Sequence, residues 1–136
     1  MELSKARVLL TGGAGGISSH VAAALLERGA AVLLADVDQA ALDHVVAGPL
    51  AAHRDRVRAV AANLVDPAGR ARLVQAAAAF DGGINVLINN AGVNHFALFD
   101  EQAPGDIDLA LAVNVAAPLH LCRLVLPLLR RQPEAA

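Results

Sequence analysis

Aromatic side chains are almost missing from this chain: 136 residues include Phe80, Phe96 and Phe99 but no tyrosine and no tryptophan. A core without large rings is thin per residue, and the small and aliphatic side chains that replace them suit helices packed closely onto a sheet. Cysteine is limited to Cys122, which excludes an internal disulfide and is compatible with a reducing compartment. Long apolar runs are scarce as well. The N-terminus sets Lys5 and Arg7 around a very short apolar run and lacks the apolar segment of a secretory signal. The most apolar region, Leu109 to Cys122, is interrupted by Asn114, Pro118 and His120 and falls short of the roughly 20 residues of a membrane-spanning helix. A cytoplasmic protein with no membrane partner is expected.

Charge of one sign is also lacking, since the formal net charge is −2. The cluster Arg54-Asp55-Arg56-Val57-Arg58 is balanced in part by its own aspartate and is joined by no wider basic stripe or stacking aromatics. It reads as a solvated helix-to-strand connection, and no nucleic-acid partner is expected. His20, His44, His53 and His120 show no metal-ligand spacing with one another or with Cys122, so no metal is assigned. The length corresponds to one domain, residues 1–136, able to bury about two thirds of its unfolded surface.

What the chain does have is a glycine cluster. Thr11-Gly12-Gly13-Ala14-Gly15-Gly16-Ile17-Ser18 directly follows the apolar run Arg7-Val8-Leu9-Leu10 and leads into a helical pattern. Glycine lets the backbone lie against a ligand, and the helix that follows aims its unpaired N–H groups and positive dipole end at the same spot. Together they suit a phosphate or pyrophosphate. Read as G-x-G-x-x-G or as T-G-x-x-x-G-x-G, the motif ends on Ser18 where a glycine belongs, and the Ser18 oxygen is expected to cap the helix. A glycine-rich turn that binds nothing shares the same local pattern.

The predicted first helix runs from about Ser18 to Arg28 and closes at Gly29. Ala31-Val32-Leu33-Leu34-Ala35 is a continuous apolar run, the pattern of a strand buried on both faces of a parallel sheet. It ends at Asp36, 20 residues beyond Gly16, where a dinucleotide-binding unit places an acid for an adenosine ribose. Asp36 or Asp38 is alternatively a cap for the next helix, Gln39 to Val46. A third strand, Val57 to Ala62, leads to a helix from Pro67 to about Phe80, with Asp66 as its cap. Ile84 to Ile88 is the fourth strand, followed by Asn89-Asn90-Ala91-Gly92. From Asp106 to about Arg131 runs a long helix, apolar around most of its circumference and expected to bend at Pro118 and Pro127. A helix so apolar needs more than one neighbour, so one face is assigned to the sheet and the other to a second subunit. Residues from about Gln132 read as a loose tail.

Strands alternating with helices imply right-handed crossovers and a parallel sheet covered on both faces. With the fourth strand and its turn in place, the sequence resembles the short-chain dehydrogenase/reductase family. The resemblance rests on Thr11-Gly12-x-x-x-Gly16-Ile17, on Asn89-Asn90-Ala91-Gly92, and on Val113-Asn114-Val115 in the long helix. It implies a Rossmann-like, doubly wound α/β domain with strand order 3-2-1-4, stopping before a fifth strand. By the resemblance, Gly12, Ala14, Gly16 and Ile17 line the pyrophosphate and nicotinamide side of a cofactor. Asp36 holds the adenosine ribose and favours NAD over NADP; Asn63 and Leu64 flank the adenine; Asn90, Ala91 and Gly92 run beside the cofactor. Asn63 stands where the family usually has aspartate, which keeps an acceptor and adds a donor. Asn114 matches the asparagine of the family's Asn-Ser-Tyr-Lys tetrad, supporting a water in the proton relay; a plain helix-to-loop hydrogen bond is the other reading. The Asn-Asn-Ala-Gly turn by itself also suits a simple strand exit. His95, just past that turn, reads as a loop residue without a catalytic task.

The tetrad's other members have no counterpart here. The chain has no tyrosine, its only lysine is Lys5, and its serines are Ser4, Ser18 and Ser19, all ahead of the second strand. The expectation is therefore the NAD(H)-binding N-terminal portion of an oxidoreductase whose alcohol or carbonyl substrate is met only in a full-length form. A non-catalytic NAD-binding module and an interaction remnant are the alternatives. Order 3-2-1-4 also leaves the fourth strand as an exposed apolar edge.

Overall fold

A computed structural model describes all 136 residues. Four parallel strands, β1 (Arg7–Thr11), β2 (Ala31–Asp36), β3 (Val57–Ala61) and β4 (Val86–Ile88), form one sheet in the order β3-β2-β1-β4. The register places Val8 beside Val32 on one side and Val86 on the other. Helices α1 (Gly16–Glu27) and α2 (Gln39–Ala47) pack on one face; α3 (Pro67–Ala79) and the last long helix pack on the other. This is the doubly wound α/β architecture.

Alternation along the two central strands divides the core. Val8, Leu10, Val32 and Leu34 meet Ala22 and Leu26 of α1 and Leu42 and Val45 of α2. Leu9, Leu33 and Ala35 face the other way, onto Leu73 and Ala77 of α3 and onto Leu121 and Val125. Each layer is aliphatic. Phe96 and Phe99 lie at 95% and 81% exposure, so the core forms without them. At the bottom of the sheet Arg56 of the basic cluster is partly buried, its Nη1 donating to the Leu26 and Ala30 carbonyls at 2.7 and 3.0 Å. It adds a side-chain donor at the C-terminal end of α1, where the Leu26 carbonyl also accepts from Gly29 N–H at 3.0 Å.

Several boundaries differ from expectation. α1 begins at Gly16, two residues early, because the glycine turn is tight enough for the helix to start inside it. β4 begins at Val86 rather than Ile84: buried Asn85 spends its side chain on the Arg7 N–H (2.7 Å) and the Lys5 carbonyl (3.0 Å). The last helix starts at Pro104 and comprises α4 (Pro104–Leu111), a π turn (Ala112–Ala116) and α5 (Ala117–Leu129). The wide turn directly precedes Pro118, whose ring and missing N–H do not fit a regular α ladder. Because the π turn carries the helix through Asn114 and Pro118, Pro104–Leu129 is continuous over 26 residues, long and apolar enough by length and composition to cross a membrane. The shorter run on which a span was ruled out is thus not the structural unit. Ala117, Leu121 and Val125 are buried against the sheet layer, while Leu111, Val115, Leu119 and Leu126 are exposed.

The segment read as a loose tail is docked. Gln132 Oε1 accepts from Arg7 Nη2 at 2.7 Å, and Ala136 pairs with the outer edge of β4 through Leu87 N–H to Ala136 O and Ala136 N–H to Asn85 O, both 3.0 Å. The β4 edge is accordingly part-covered, which the apolar pattern of the strand alone does not show.

Candidate functional site

The site starts with the turn after β1. Gly12 takes φ +68°, and a Cβ there meets the Ala91 Cα at 2.9 Å, so a side chain would wedge the two loops apart. Gly13 donates to the Ala35 carbonyl at 2.9 Å, and Gly15 donates to the Gly12 carbonyl at 3.1 Å, folding the turn tightly onto β2. Where α2 and α3 are capped by Asp38 and Asp66, the N-cap of α1 is Gly15, which offers no side chain. The N–H groups of Gly16, Ile17 and Ser18 have no partner within the chain, and nothing lies within 4 Å of the position a Cβ would take on Gly16. Free donors around open space at a positive helix end form an anion cradle.

Ser18 does not cap the helix. With α1 starting at Gly16, Ser18 falls in the first turn, fully buried, and its hydroxyl donates back to the Gly12 carbonyl. The same oxygen accepts from Asn90 Nδ2 at 2.7 Å, and that amide also donates to the Thr11 carbonyl at 3.1 Å. Thr11 Oγ1 in turn accepts from the Asn90 and Ala91 N–H groups at 3.0 and 3.1 Å. Thr11 is the hub that ties the end of β1 to the turn after β4. Both loops therefore leave the same rim of the sheet, from adjacent strands.

Asp36 ends β2 beside them. Its carboxylate accepts from Ala14 N–H at 3.1 Å and from Val37 N–H at 2.7 Å, while the capping of α2 falls to Asp38, which accepts from Ala41 N–H at 3.0 Å. Beyond Asp36 lies the turn after β3. There Asn63 Oδ1 accepts from Val65 N–H at 3.0 Å, closing a side-chain turn. Gly69 of α3 sits against it so closely that a Cβ would come within 2.2 Å of the Asn63 carbonyl oxygen.

Arg70, missed from the sequence, is 8% exposed with no acid at ion-pair distance. Its Nη1 donates to the Leu64 and Val65 carbonyls at 2.6 and 2.9 Å, and its buried Nε has no partner. An unpaired buried cation is costly, so the loop it grips is held by something other than cheap packing. No local signal separates it from Arg72, two residues on in the same turns of α3.

These elements enclose a cleft of about 390 Å³. Gly12, Asp36, Asn63, Leu64, Ala91 and Gly92 line it, six of the ten cofactor residues assigned from the sequence. Ala14, Gly16, Ile17 and Asn90 do not line it; they lie in the glycine turn, at the start of α1 and in the turn after β4, with Ile17 at 74% exposure. Val37, Val65, Val93, Leu109 and Val113 also line it, with Ala35 and Ala62; nothing in the local pattern distinguishes them from core residues.

Asn114 lies on the π turn. Its Oδ1 accepts from Val93 N–H and its Nδ2 donates to Val93 O, both at 2.8 Å. The side-chain amide is thus committed to the loop that carries Ala91, Gly92 and Val93 along the cleft. His95 stands outside the cleft, its Nε2 3.7 Å from Asp106 Oδ1.

Comparison with known proteins gives the same design. The family model for short chain dehydrogenase matches residues 6–136. The short chain dehydrogenase/reductase dpchG of Colletotrichum higginsianum is 34% identical over 131 residues, covering 94% of this chain and 48% of that protein. The rhamnolipids biosynthesis 3-oxoacyl-[acyl-carrier-protein] reductase of Pseudomonas aeruginosa is 34% identical over 127 residues, covering 93% and 49%. Among solved structures, a short-chain dehydrogenase/reductase (glucose/ribitol dehydrogenase) from Brucella melitensis superposes with a TM-score of 0.86 at 27% identity, over 95% of this chain and 54% of that one. The Pseudomonas aeruginosa RhlG/NADP active-site complex gives 0.84 at 32%, over 96% and 51%. The chain spans about half the length of these relatives. With the family model matching from Ala6 through Ala136 and the fold superposing over 95% of the chain, this chain belongs to the short-chain dehydrogenase/reductase family.

Proposed function

We propose that the chain is the NAD(H)-binding portion of an oxidoreductase acting on an alcohol or carbonyl, and that the 136 residues bind the dinucleotide without completing the reaction. The carrying observation is the union of the two loops: Thr11, Ser18 and Asn90 bind the turns after β1 and β4 into one rim, which opens on the same cleft as Asp36. The residues present fit the group. Free N–H groups at the start of α1 with open space at Gly16 suit a pyrophosphate, and the carboxylate at the end of β2 suits a ribose.

A bound nicotinamide dinucleotide supplies hydride exchange; the protein's part is to hold it and to manage the proton. Gly12 and Gly16 admit the phosphates, and Ala91, Gly92 and Val93, held by Asn114, form the wall beside them. Asp36 places a negative charge where a 2′-phosphate would sit, which favours NAD. The NADP in the RhlG complex belongs to that protein, and the choice here rests on Asp36 itself. Proton transfer is what the 136 residues lack, since they hold no tyrosine and only Lys5 among lysines. Positioned acid–base catalysis is worth about 10²–10⁴ in rate. The exposed side of helix Pro104–Leu129, with Leu111, Val115, Leu119 and Leu126, supports self-association through that helix.

Calorimetric titration with NAD and NADP, alongside a turnover assay on secondary alcohols, tests the proposal. NAD is expected to bind at least about tenfold more tightly than NADP, a 1.4 kcal/mol preference. Asp36→Ser should narrow that ratio at least tenfold, and NADH formation should be negligible. Absence of heat with both dinucleotides defeats the cofactor assignment; robust turnover by the 136-residue chain defeats the incompleteness.

A further inference from the structure

The turn after β3 is anchored at both ends. Ala62 N–H donates to the Asp36 carbonyl at 2.7 Å on one side, and Asp66 caps α3 on the other. Between them Asn63, Leu64 and Val65 all line the cleft, and the bond from Val65 N–H to Asn63 Oδ1 is internal to the turn. The only hydrogen bonds that tie these three residues to the rest of the chain come from Arg70 Nη1, to the Leu64 and Val65 carbonyls. Arg70 itself does not line the cleft.

That tie is made by an unfavourably placed group. Arg70 is a buried cation without an acid at ion-pair distance, and its Nε has no partner. Replacing a buried ion by an apolar side chain of similar volume is commonly neutral or favourable to stability. α3 stays docked by other means, through the Asp66 cap and through Leu73 and Ala77, fully buried against the sheet. Leu64 is half-buried and Val65 exposed, so water can serve their carbonyls once the guanidinium is gone. Stability therefore does not call for an arginine here. The cleft does, because one Nη1 fixes two successive carbonyls of its wall, and Gly69 lets α3 lie close against the Asn63 carbonyl beside them. A wall ordered before the ligand arrives binds it without a further ordering cost.

We propose that Arg70 is a positioning residue of the dinucleotide cleft: it acts through the Leu64 and Val65 carbonyls to hold residues 63–65 in place, and the fold does not depend on it. The proposal rests on the cofactor reading above. Without the guanidinium the turn is loose until NAD orders it, and ordering even one backbone residue corresponds to about fivefold or more in affinity.

The test is calorimetric titration with NAD, paired with thermal denaturation, for the native 136-residue chain, Arg70→Met and Arg70→Lys. Methionine keeps much of the volume and no donor, whereas lysine keeps a donor for the carbonyls. Arg70→Met is expected to bind NAD about fivefold or more weakly, with a melting temperature no more than about 2 °C below the native one. Arg70→Lys should regain part of the lost affinity. A smaller loss in Arg70→Met, no regain in Arg70→Lys, or an Arg70→Met chain that melts lower than this or fails to fold overturns the positioning role and leaves the cofactor reading intact. Absence of NAD binding by the native chain overturns both.

Discussion

The side-chain amide of Asn90 donates to the buried hydroxyl of Ser18 at 2.7 Å across 72 positions of sequence, and this bond joins the two loops on which the cleft depends. The hydroxyl also satisfies the Gly12 carbonyl, so one oxygen serves three segments. Ser18→Ala removes it and leaves a part-buried donor and acceptor short. Unfolding in urea should show a loss of about 1–3 kcal/mol, and NAD affinity should fall with it. A stability change within a few tenths of the native value would show that the bridge carries no weight.

Two glycines in one turn should respond oppositely to alanine. At Gly12 the positive φ and the 2.9 Å approach to the Ala91 backbone make Gly12→Ala destabilising by at least ~1–2 kcal/mol, the left-handed cost alone. At Gly16 the φ is not positive and the space is open, so Gly16→Ala should leave the melting transition unchanged or raised. Both should weaken NAD binding, the first by splaying the loops and the second by filling the cradle. Thermal denaturation paired with calorimetry separates the two; equal destabilisation would contradict the geometry.

Asn114→Ala should release one loop without unfolding the sheet. Val93 N–H and O both lose their partner, in exposed surroundings where the net cost is about 1 kcal/mol. Hydrogen exchange should accelerate at the Val93 amide and stay slow at Leu9 and Leu10, which are fully buried in β1. NAD affinity should drop severalfold, because Gly92 and Val93 line the cleft. Unchanged exchange at Val93 would remove the positioning role.

The strand–turn–helix at Gly12, the acid at Asp36 and the Asn90 turn were legible in the sequence, because each rests on local chemistry: apolar runs of strand length, glycines where backbone must approach backbone, a carboxylate at a strand end; the order β3-β2-β1-β4 followed from the family resemblance that these motifs carry. The side-chain partners were not. That Ser18 bridges rather than caps, that Asn114 grips Val93, that Arg70 is buried over Leu64 and Val65, and that the free group of Asn63 is its donor depend on which atoms face one another across 2 to 72 positions of chain. Likewise the π turn before Pro118 and the docking of Ala136 on β4 are set by how the last helix lies on the sheet. Periodicity reports which face a residue takes, since burial repeats along an element; hydrogen-bond direction belongs to pairs, and only the packed chain decides the pairs.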